Sequence, residues 1–487
     1  MRMYELTQQL PIDISHHAEV EVSGITHDSR RVAPGDLYVA LVGERFDGRD
    51  FVAQAVERGA AAVLAAGPAA AGVGVPWLST ADPRGLLGPL AARLYGHPDR
   101  ELIHVGVTGT NGKSTTVSIL TAMLEAAGHP TGRIGTLGYV FRDLDLAAER
   151  TTPEASEYFR LLRTMRDRGA EAVVAEVSSH ALVQGRVGAA AYDLAVFTNL
   201  TRDHLDFHGD LETYYLAKRE LFELVEATRA VFNLDDPWGQ RLGRDFPRGL
   251  GFGTEADVRP EEVTLGMDGI RGRVRTPRGA IDFETRLLGR YNLENILAAV
   301  AGAEVLELPH EAISAALGSL PTVPGRLELV SDVAGFPVLV DFAHTDGALR
   351  AALESVRELS DRSVIVVFGC GGDRDPTKRA PMGQIAGELA DLAILTADNP
   401  RGEDPLEILA AVEQGLRSSG AENYLVEPDR RRAIRMAIAR ADAGSIVVVA
   451  GKGHEQVQIV GDREIAFSDH EEIQAALEER IGPEKAG

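Results

Sequence analysis

The sequence has 487 residues and only one cysteine, Cys370. A single cysteine excludes any disulfide within the chain, and a lone thiol suits a reducing compartment such as the cytoplasm. The first stretch, MRMYELTQQLPID, also lacks the apolar core of a secretory signal. We therefore expect a protein of the cytoplasm rather than a secreted one.

Long apolar runs and an excess of positive charge are missing as well. The Ala-rich stretch 59–72 is too short to span a bilayer. The formal net charge is −23, which argues against nucleic acid or anionic membrane as a partner. A local cluster of basic residues can still bind an anionic substrate. The length and the 44% hydrophobic content predict two to four domains with real cores, and we expect no membrane insertion.

The stretch 101–128 has the pattern of a nucleotide-binding unit. A short apolar run is followed by Gly109 to Ser114, and then by apolar residues at helical spacing. Glycines in such a turn let backbone amides approach phosphate, Lys113 reaches the terminal phosphates, and Ser114 can hold Mg²⁺. The glycines stand at 106, 109 and 112, so the spacing is not that of the strict P-loop. An ordinary glycine turn is the alternative.

The pattern of strands and helices divides the chain into three α/β units. Residues 1–98 predict a small α/β domain, residues 99–325 a central domain around the nucleotide loop, and residues 326–487 a doubly wound domain. The boundary near 325 is marked by Pro321, Pro324 and Gly325. Five strands and five helices alternate in the last unit, and polar clusters follow its strands at 369–379, 397–405 and 451–455.

Polar side chains follow two predicted strands of the central unit. Glu176 and Ser178 come after the strand 171–177, while Asp203, His204, Asp206 and His208 follow the strand 192–197. Ligands gather at the carboxyl ends of parallel strands, so these residues suggest Mg²⁺ ligation beside the nucleotide loop. The alternative for the two histidines is a surface loop. Lys218, in a predicted helix 211–227, reads by itself as a solvated surface lysine.

Two further sets of polar residues admit simple explanations. Asn292 and Asn295 lie three apart at the start of a predicted helix, so they share one face, and they could be helix caps. The stretch THDSRRVAPGD, 26–36, could be an ordinary polar turn.

The order of these motifs resembles the Mur ligase family over essentially the whole chain. The supporting stretches include THDSR, GVTGTNGKSTT, ERTTPE, AEVSSHALVQGRV, TNLTRDHLDFHGD, YYLAKRELF, GRYNLENILAA, VDFAHTDGAL, FGCGGDRD, DNPRGEDP and GKGHE. Within the family, the chain resembles the ligases that add the third residue of the peptidoglycan stem peptide. The resemblance implies a small N-terminal α/β domain, a central P-loop-type ATP-binding domain and a C-terminal Rossmann-like domain.

The resemblance also implies a reaction and its partners. ATP and Mg²⁺ would convert the side-chain carboxylate of UDP-MurNAc-L-Ala-D-Glu to an acyl phosphate, which the amine of meso-2,6-diaminopimelate would attack. L-lysine or L-ornithine as the amino acid, or another Mur or folylpolyglutamate-type ligase, stays an alternative. A nucleotide-switch regulator is the alternative from another class. The enzyme would be a cytoplasmic monomer.

Site residues follow by resemblance, position by position. The UDP-substrate would contact His27, Ser29, Glu44, Arg45, Phe46, Thr151, Thr152, Ser178, Gln184 and Arg186, the last neutralising a carboxylate. ATP would lie on Gly109, Thr110, Asn111, Gly112, Lys113, Ser114, Thr115, Asn292, Asn295, Arg326 and Asp341. The metal would use Ser114, Glu176, His204 and Lys218 as a carbamate. The catalytic residues would be Lys113, Glu176, His204 and Lys218. The amino acid would contact Arg374, Asp398, Asn399, Pro400, Arg401, Gly451 and Glu455, with Arg401 selecting the second carboxylate of diaminopimelate.

Overall fold

Three α/β units follow one another along the chain, each around its own sheet. The computed structural model describes residues 1–12, 19–43, 46–69, 72–332 and 334–481. Within these residues no helix is both long and apolar enough to cross a membrane. The α/β class and the three-part organisation predicted from the sequence are confirmed.

The first unit has a four-stranded parallel sheet in the order β1-β2-β3-β4. Its elements are α1 (Met3–Thr7), β1 (Gly24–Thr26), β2 (Asp36–Val39), α2 (Val52–Glu57), β3 (Ala62–Ala65), β4 (Trp77–Ser79) and α3 (Pro83–Leu94). Asp82 caps the N-terminus of α3 by accepting a hydrogen bond from the Gly85 amide. The predicted strand 35–43 is only four residues long in the structure, but it lies where expected.

The central unit has an eight-stranded sheet in the order β12-β11-β10-β5-β9-β6-β7-β8. Its first elements are β5 (Ile103–Thr108), α4 (Lys113–Ala126), β6 (Thr131–Gly135), β7 (Gly138–Phe141), β8 (Leu144–Leu146), α5 (Ala155–Asp167), β9 (Ala172–Glu176), α6 (Ser179–Val183) and β10 (Leu194–Phe197). Strand β5 pairs in parallel with both β9 and β10. The polar segments after these three strands consequently meet at one edge of the sheet.

The rest of the central unit covers and extends that sheet. It comprises α7 (Leu205–His208), α8 (Leu211–Arg219), β11 (Ala230–Asn233), α9 (Pro237–Asp245), β12 (Leu250–Phe252), β13 (Arg259–Gly266), β14 (Gly269–Thr276), β15 (Gly279–Thr285), α10 (Arg290–Val305) and α11 (His310–Ser319). Strands β13–β15 form a separate antiparallel sheet. The predicted helix 211–227 is wrong in length, because α8 ends at Arg219 and the next residues tighten into a 3₁₀ turn, Glu220–Leu224.

Helix α4 shows why the central core forms. Its apolar residues at helical spacing, including Val117, Leu120 and Leu124, are buried against α10 and α11. This burial confirms the spacing argument made from the sequence. The polar N-terminus of the same helix stays at the sheet edge, next to the segments that follow β9 and β10.

The third unit is a doubly wound domain with sheet order β16-β17-β21-β18-β19-β20. Its elements are β16 (Glu328–Ser331), β17 (Val338–Asp341), α12 (Asp346–Leu359), β18 (Ser363–Phe368), α13 (Arg379–Leu389), β19 (Leu392–Leu395), α14 (Pro405–Ser418), β20 (Tyr424–Val426), α15 (Arg430–Arg440), β21 (Ser445–Ala450), β22 (Val457–Val460), β23 (Arg463–Ala466) and α16 (Asp469–Ile481). All pairs of that sheet except the edge pair β16–β17 are parallel. The five predicted strands and five predicted helices of this unit are confirmed.

Candidate active site

The loop from Gly109 to Gly112 connects β5 to α4 and lies at the edge of the central sheet. Gly112 has φ +86°, and a Cβ there would lie 2.2 Å from Oδ1 of Asn295, so only glycine fits. The Lys113 ammonium donates to the carbonyl oxygens of Gly109 and Thr110, each at 2.9 Å. Burial lowers the pKa of this ammonium. The loop thus holds a cation beside backbone amides and a helix N-terminus, a combination that suits polyphosphate.

Ser114 and Glu176 line the same small recess beside this loop. The Glu176 carboxylate is held in place because it accepts hydrogen bonds from the Thr136 amide at 3.0 Å and from the Thr136 hydroxyl at 3.2 Å. The Ser114 hydroxyl accepts a hydrogen bond from Arg326 at 2.9 Å. One carboxylate and one hydroxyl are hard oxygen ligands of the kind that Mg²⁺ uses together with substrate phosphates.

The segment after β10 brings an imidazole cluster to the cavity. His204 has φ +55°, and its Nε2 lies 3.5 Å from Oδ2 of Asp203. Burial lowers the pKa of His204 to about 3, which Asp203 only partly opposes. His208 is buried, stacks on Tyr214, and its Nε2 lies 2.9 Å from the Ser179 hydroxyl. The surface-loop alternative is therefore wrong for His208.

Lys218 lies inside the central unit, although its sequence context is that of a surface lysine. The residue is 1% exposed, and its ammonium donates to the Gly109 carbonyl oxygen at 2.8 Å. The ammonium also lies 4.5 Å from the centre of the Tyr214 ring. No carboxylate in the described residues forms an ion pair with it. Burial and the nearby Lys113 charge lower its pKa well below the ordinary value.

The two asparagines of helix α10 are not helix caps, which was the alternative explanation for them. Gly289 is the N-cap, whereas Asn292 and Asn295 lie inside the helix and are bonded to each other at 3.1 Å. Asn295 lines the cavity, while Asn292 is fully buried behind it. The prediction was that both asparagines contact the nucleotide, and only Asn295 lies where it could do so. Tyr291 donates to the Asp341 carboxylate at 2.7 Å, which ties α10 to the third unit.

The third unit contributes a second polar cluster from the ends of β19 and β21. The Asn399 amide donates to the Glu455 carboxylate at 2.9 Å, and Asp398 lies alongside with its Oδ1 3.7 Å from the Lys452 ammonium. The Lys452 ammonium, 0% exposed, donates to Asn399 at 3.0 Å and to Glu455 at 2.9 Å. Asp398, Asn399 and Glu455 all line the cavity, so Lys452 fixes their positions from behind.

Arg401 lies beside this cluster and does not pair with an acidic residue of the surface loop. Its Nη1 donates to the Gly372 carbonyl oxygen at 2.8 Å. Glu403 instead pairs with Arg379, and Asp404 caps helix α14. The alternative in which Arg401 pairs with Glu403 or Asp404 is therefore wrong. The remaining guanidinium nitrogens of Arg401 stay available to the cavity that it lines.

One cavity of about 550 Å³ joins the nucleotide loop to the second cluster. Its central wall includes Lys113, Glu176 and His204, and its opposite wall includes Arg401 and Glu455. Arg374, Gly451, Thr151 and Asp341 also line it. The central and third units therefore present their polar sheet edges to a common space, large enough for a small-molecule reaction.

Comparison with known proteins agrees with this arrangement. A Mur ligase family catalytic domain matches residues 21–95, a Mur ligase middle domain residues 107–303, and a Mur ligase glutamate ligase domain residues 325–453. A UDP-N-acetylmuramoyl-L-alanyl-D-glutamate--2,6-diaminopimelate ligase of Geobacter metallireducens is 44% identical, with 98% of this chain and 99% of that protein covered. The chain belongs to the Mur ligase family.

Other similar proteins also match nearly the whole chain. The protein of that name from Gloeobacter violaceus is 44% identical to this Mur ligase, with 99% of each chain covered. A solved structure of a ligase with this name has a TM-score of 0.68 and 31% identity, and 99% of each chain is covered. A MurF ligase of Thermotoga maritima in complex with ADP shares the fold, with a TM-score of 0.69 and 20% identity over 96% of this chain and 99% of that one.

The predicted UDP-substrate residues of this Mur ligase lie mostly outside the cavity. Thr151 lines it, and Thr152, Ser178, Gln184 and Arg186 form a bonded cluster beside it. Arg186 lies 3.0 Å from Glu154, so its charge already has a partner, and Ser178 caps α6. The contacts expected of both residues thus compete with bonds within the protein.

The first unit of this Mur ligase carries the remaining UDP-substrate predictions. The Ser29 hydroxyl donates to Gln54 at 2.6 Å, and His27 Nδ1 lies 3.5 Å from the Ser156 hydroxyl across the boundary with the central unit. Phe46 is 69% exposed and packs edge-on against Phe51. Glu44 and Arg45 lie outside the described residues.

Sequence reasoning missed several residues of the site. Lys378 and His344 line the cavity, and Lys452 supports it. Residue type alone does not distinguish these side chains from surface ones, because their burial depends on the packing of distant strands. One signal was the position of Lys378 in a polar segment that follows a predicted strand, where ligand-binding residues collect.

Proposed function

We propose that the chain is an ATP-dependent amide ligase that adds meso-2,6-diaminopimelate to UDP-MurNAc-L-Ala-D-Glu. The observation that carries the proposal is the shared cavity, in which the nucleotide loop faces Asp398, Asn399, Arg401 and Glu455. A nucleotide-switch regulator has no need of a second polar cluster opposite its phosphates. The names of relatives at 44% identity support the same substrates.

The chemistry follows from the residues on each wall. A carboxylate is a poor acylating agent, because oxide is a bad leaving group, so ATP first converts it to an acyl phosphate. Lys113 and Arg326 lie where they would neutralise charge on the transferred phosphoryl group. The amine held by the third unit then attacks the acyl carbon, and phosphate leaves. Two walls that face each other across the intermediate would limit its hydrolysis by water.

The second carboxylate of diaminopimelate gives Arg401 a role. A guanidinium can hold a carboxylate through two parallel hydrogen bonds. A lysine side chain would instead bring an ammonium against this arginine and leave it unpaired, which disfavours binding. Glu455 and Asp398 supply negative charge for an amino group of the ligand. Arg374, Pro400 and Gly451 complete the proposed amino-acid site.

The residues present fit Mg²⁺ bound mainly through substrate. Within the described part of the chain, no group of three or more His, Cys, Asp or Glu side chains is arranged to hold a metal alone. Ser114 and Glu176 offer two oxygen ligands, and phosphate oxygens would add others. His204 and Lys218, the latter as a carbamate, would hold a second ion. Bound Mg²⁺ would supply positive charge that stabilises the phosphoryl transfer.

The domain limits and cellular setting are part of the proposal. We place the UDP-substrate domain at 1–98, the ATP domain at 99–325 and the amino-acid domain at 326–487, because each sheet falls within one of these ranges. The only cysteine, Cys370, is a buried free thiol, which suits the cytoplasm. Both walls of the cavity come from one chain, so a monomer has a complete cavity.

The test is amide formation by the purified full chain. With ATP, Mg²⁺ and UDP-MurNAc-L-Ala-D-Glu, we expect ADP release only when meso-diaminopimelate is added, and a product whose mass equals the two substrates less water. L-lysine and L-ornithine serve as matched competitors. Efficient turnover of either one with none of meso-diaminopimelate contradicts the assignment of the amino acid, and ADP release without any amide contradicts the ligase.

A further inference from the structure

Lysine is scarce in this chain and is confined to a few positions. Only five of the 50 Lys and Arg residues are lysines, so arginine carries almost all of the positive charge. Lys113 lines the cavity, while Lys218, Lys378 and Lys452 are each at least nine-tenths buried. Lys485 lies outside the described residues. An ammonium is a compact point charge with rotatable donors, whereas a guanidinium is a wide planar fork. These four sites use the compact cation.

Three of the four lysines have partners within the protein. Lys113 and Lys218 donate to carbonyl oxygens of the nucleotide loop, and Lys452 bonds to Asn399 and Glu455. Lys378 differs from them. Among the Lys and Arg side chains that line the cavity, it alone has no hydrogen bond or ion pair to any described residue.

The charge of Lys378 acts on the Asp203 carboxylate across the cavity, while two other acidic residues near its turn are bonded elsewhere. It ends the 3₁₀ turn Pro376–Lys378 and is 7% exposed. Asp375 accepts hydrogen bonds from the amide and hydroxyl of Thr377. Glu403 binds Arg379. Lys378 lines the cavity and no described residue pairs with its ammonium, so the site is expected to receive an anionic part of the ligand.

The position of Lys378 indicates which part of the ligand it meets. It shares the cavity with Asp203, which belongs to the central wall, and with His344 of the third unit. Its charge is the main electrostatic influence that lowers the pKa of buried His344, after burial itself. Lys378 thus belongs to the third unit but faces the junction where phosphate from the central unit arrives.

We propose that Lys378 is a catalytic residue that donates hydrogen bonds to oxygens of the transferred phosphoryl group. The inference rests on the proposed ligase function. In the first step a carboxylate oxygen–phosphorus bond forms as the bond from phosphorus to the ADP oxygen breaks. In the second, a nitrogen–carbon bond forms, the carbon–oxygen bond to phosphate breaks, and the amine loses a proton. Lys378 forms no covalent bond in either step and stabilises the negative charge on phosphorus oxygens.

The test separates phosphoryl transfer from amino-acid binding. In Lys378→Met, we expect kcat to fall at least about 100-fold, while KM for ATP and for meso-diaminopimelate stays within about threefold of wild type. When the amino acid is left out, hydroxylamine traps the acyl phosphate as a hydroxamate. The hydroxamate yield should fall by the same factor as kcat. Lys378→Arg should remain impaired at least about tenfold, because the wide fork does not replace an ammonium.

Restoring the ammonium provides a positive control. Alkylation of Lys378→Cys with 2-bromoethylammonium rebuilds a lysine-like side chain, and we expect at least about a tenfold gain in kcat over the untreated variant. Wild-type enzyme treated in the same way is the control for alkylation of Cys370. The Cys370 thiol is buried, and burial raises its pKa to about 12. Melting temperature checks folding, and Lys378→Gln replaces Lys378→Met if the latter is unstable.

Two results would overturn the inference. One is near-normal kcat in Lys378→Met or Lys378→Gln. The other is a large rise in KM for meso-diaminopimelate with an unchanged hydroxamate yield, which would assign Lys378 to the amino acid. A wild-type enzyme that makes no amide would instead contradict the proposed function, so the two failures are distinguishable.

Discussion

Arg326 donates a hydrogen bond of 2.9 Å to the hydroxyl of Ser114, although 212 positions separate the two residues in the sequence. Ser114 is in the first turn of α4, and Arg326 stands at the boundary with the third unit. The guanidinium also lies 4.8 Å from the centre of the Phe342 ring, which holds its plane. The phosphate side of the cavity is therefore built by the chain on both sides of the boundary.

Lys113→Ala should lower kcat by about 100- to 1,000-fold, because it removes a charge aimed at the transferred phosphoryl group. Steady-state ADP release measures the effect, and Glu125→Ala, at an exposed position on the same helix, is the control. We expect both variants to fold, since the Lys113 side chain faces the ligand. Near-normal amide formation by Lys113→Ala would rule out the nucleotide-loop assignment.

Lys218 is expected to react with CO₂, giving a carbamate and releasing a proton. The buried amine has no carboxylate partner in the described structure, and burial favours its neutral, nucleophilic form. Lys218→Ala should lose activity, and short carboxylic acids should restore part of it. Carbon-13 NMR of enzyme in ¹³CO₂ should show a carbamate signal that the variant lacks. A bare amine in a high-resolution structure with Mg²⁺ and nucleotide would contradict the prediction.

Arg401→Ala should raise KM for meso-diaminopimelate by about 10- to 100-fold, which corresponds to the loss of a charge-assisted pair. KM for ATP should change little, because ATP lies against the other wall. Arg417→Ala is a matched control, since its guanidinium pairs with Glu413 on the exposed side of α14. Equal effects on the two substrates would indicate general damage to the third unit and not lost recognition.

The buried pair of Arg430 and Asp469 offers a test of stability without catalysis. Both side chains are 0% exposed, and the guanidinium also donates to the Ala450 carbonyl oxygen at 3.0 Å. Arg430→Met should lower the free energy of unfolding by about 3–5 kcal/mol, because it leaves a buried carboxylate unpaired. The double variant Arg430→Met/Asp469→Leu should be less destabilised in urea unfolding. A double variant less stable than the single one would refute this explanation.

The sequence predicted the fold where local patterns and tertiary packing agree. The strand, glycine turn and helix around Gly112 were predicted because an apolar run, a cluster of glycines and apolar residues at helical spacing follow one another there. The antiparallel sheet β13–β15 lies in a stretch for which no element was predicted. Strand β13 has no fully buried residue, and charged residues interrupt the apolar pattern of β14 and β15, although these two strands bury Ile270, Val274, Ile281 and Phe283. Helix α8 was predicted too long because a 3₁₀ turn continues its spacing.

The sequence predicted which residue types form the site, but not which side chains contact each other or reach the cavity. Asn292 and Asn295 were placed on one helix face, yet burial separates them, because only the packing of α10 decides which one reaches the cavity. Arg401 and Glu403 are near in sequence, and only the position of Arg379 shows that they do not pair. Lys452 and Lys378 were missed because burial depends on strands that lie far away in the sequence.

The two-sided cavity has a consequence for cooperativity. Neither wall is complete alone, so a compound that touches both Lys113 and Arg401 connects two units with largely separate hydrophobic cores. The compound's binding energy then adds to the free energy of unfolding of both units, so their unfolding transitions become linked by mass action. A ligand confined to one wall stabilises only the unit that carries it. The number and spacing of calorimetric transitions thus distinguish inhibitors that bridge the cavity from those that occupy one wall.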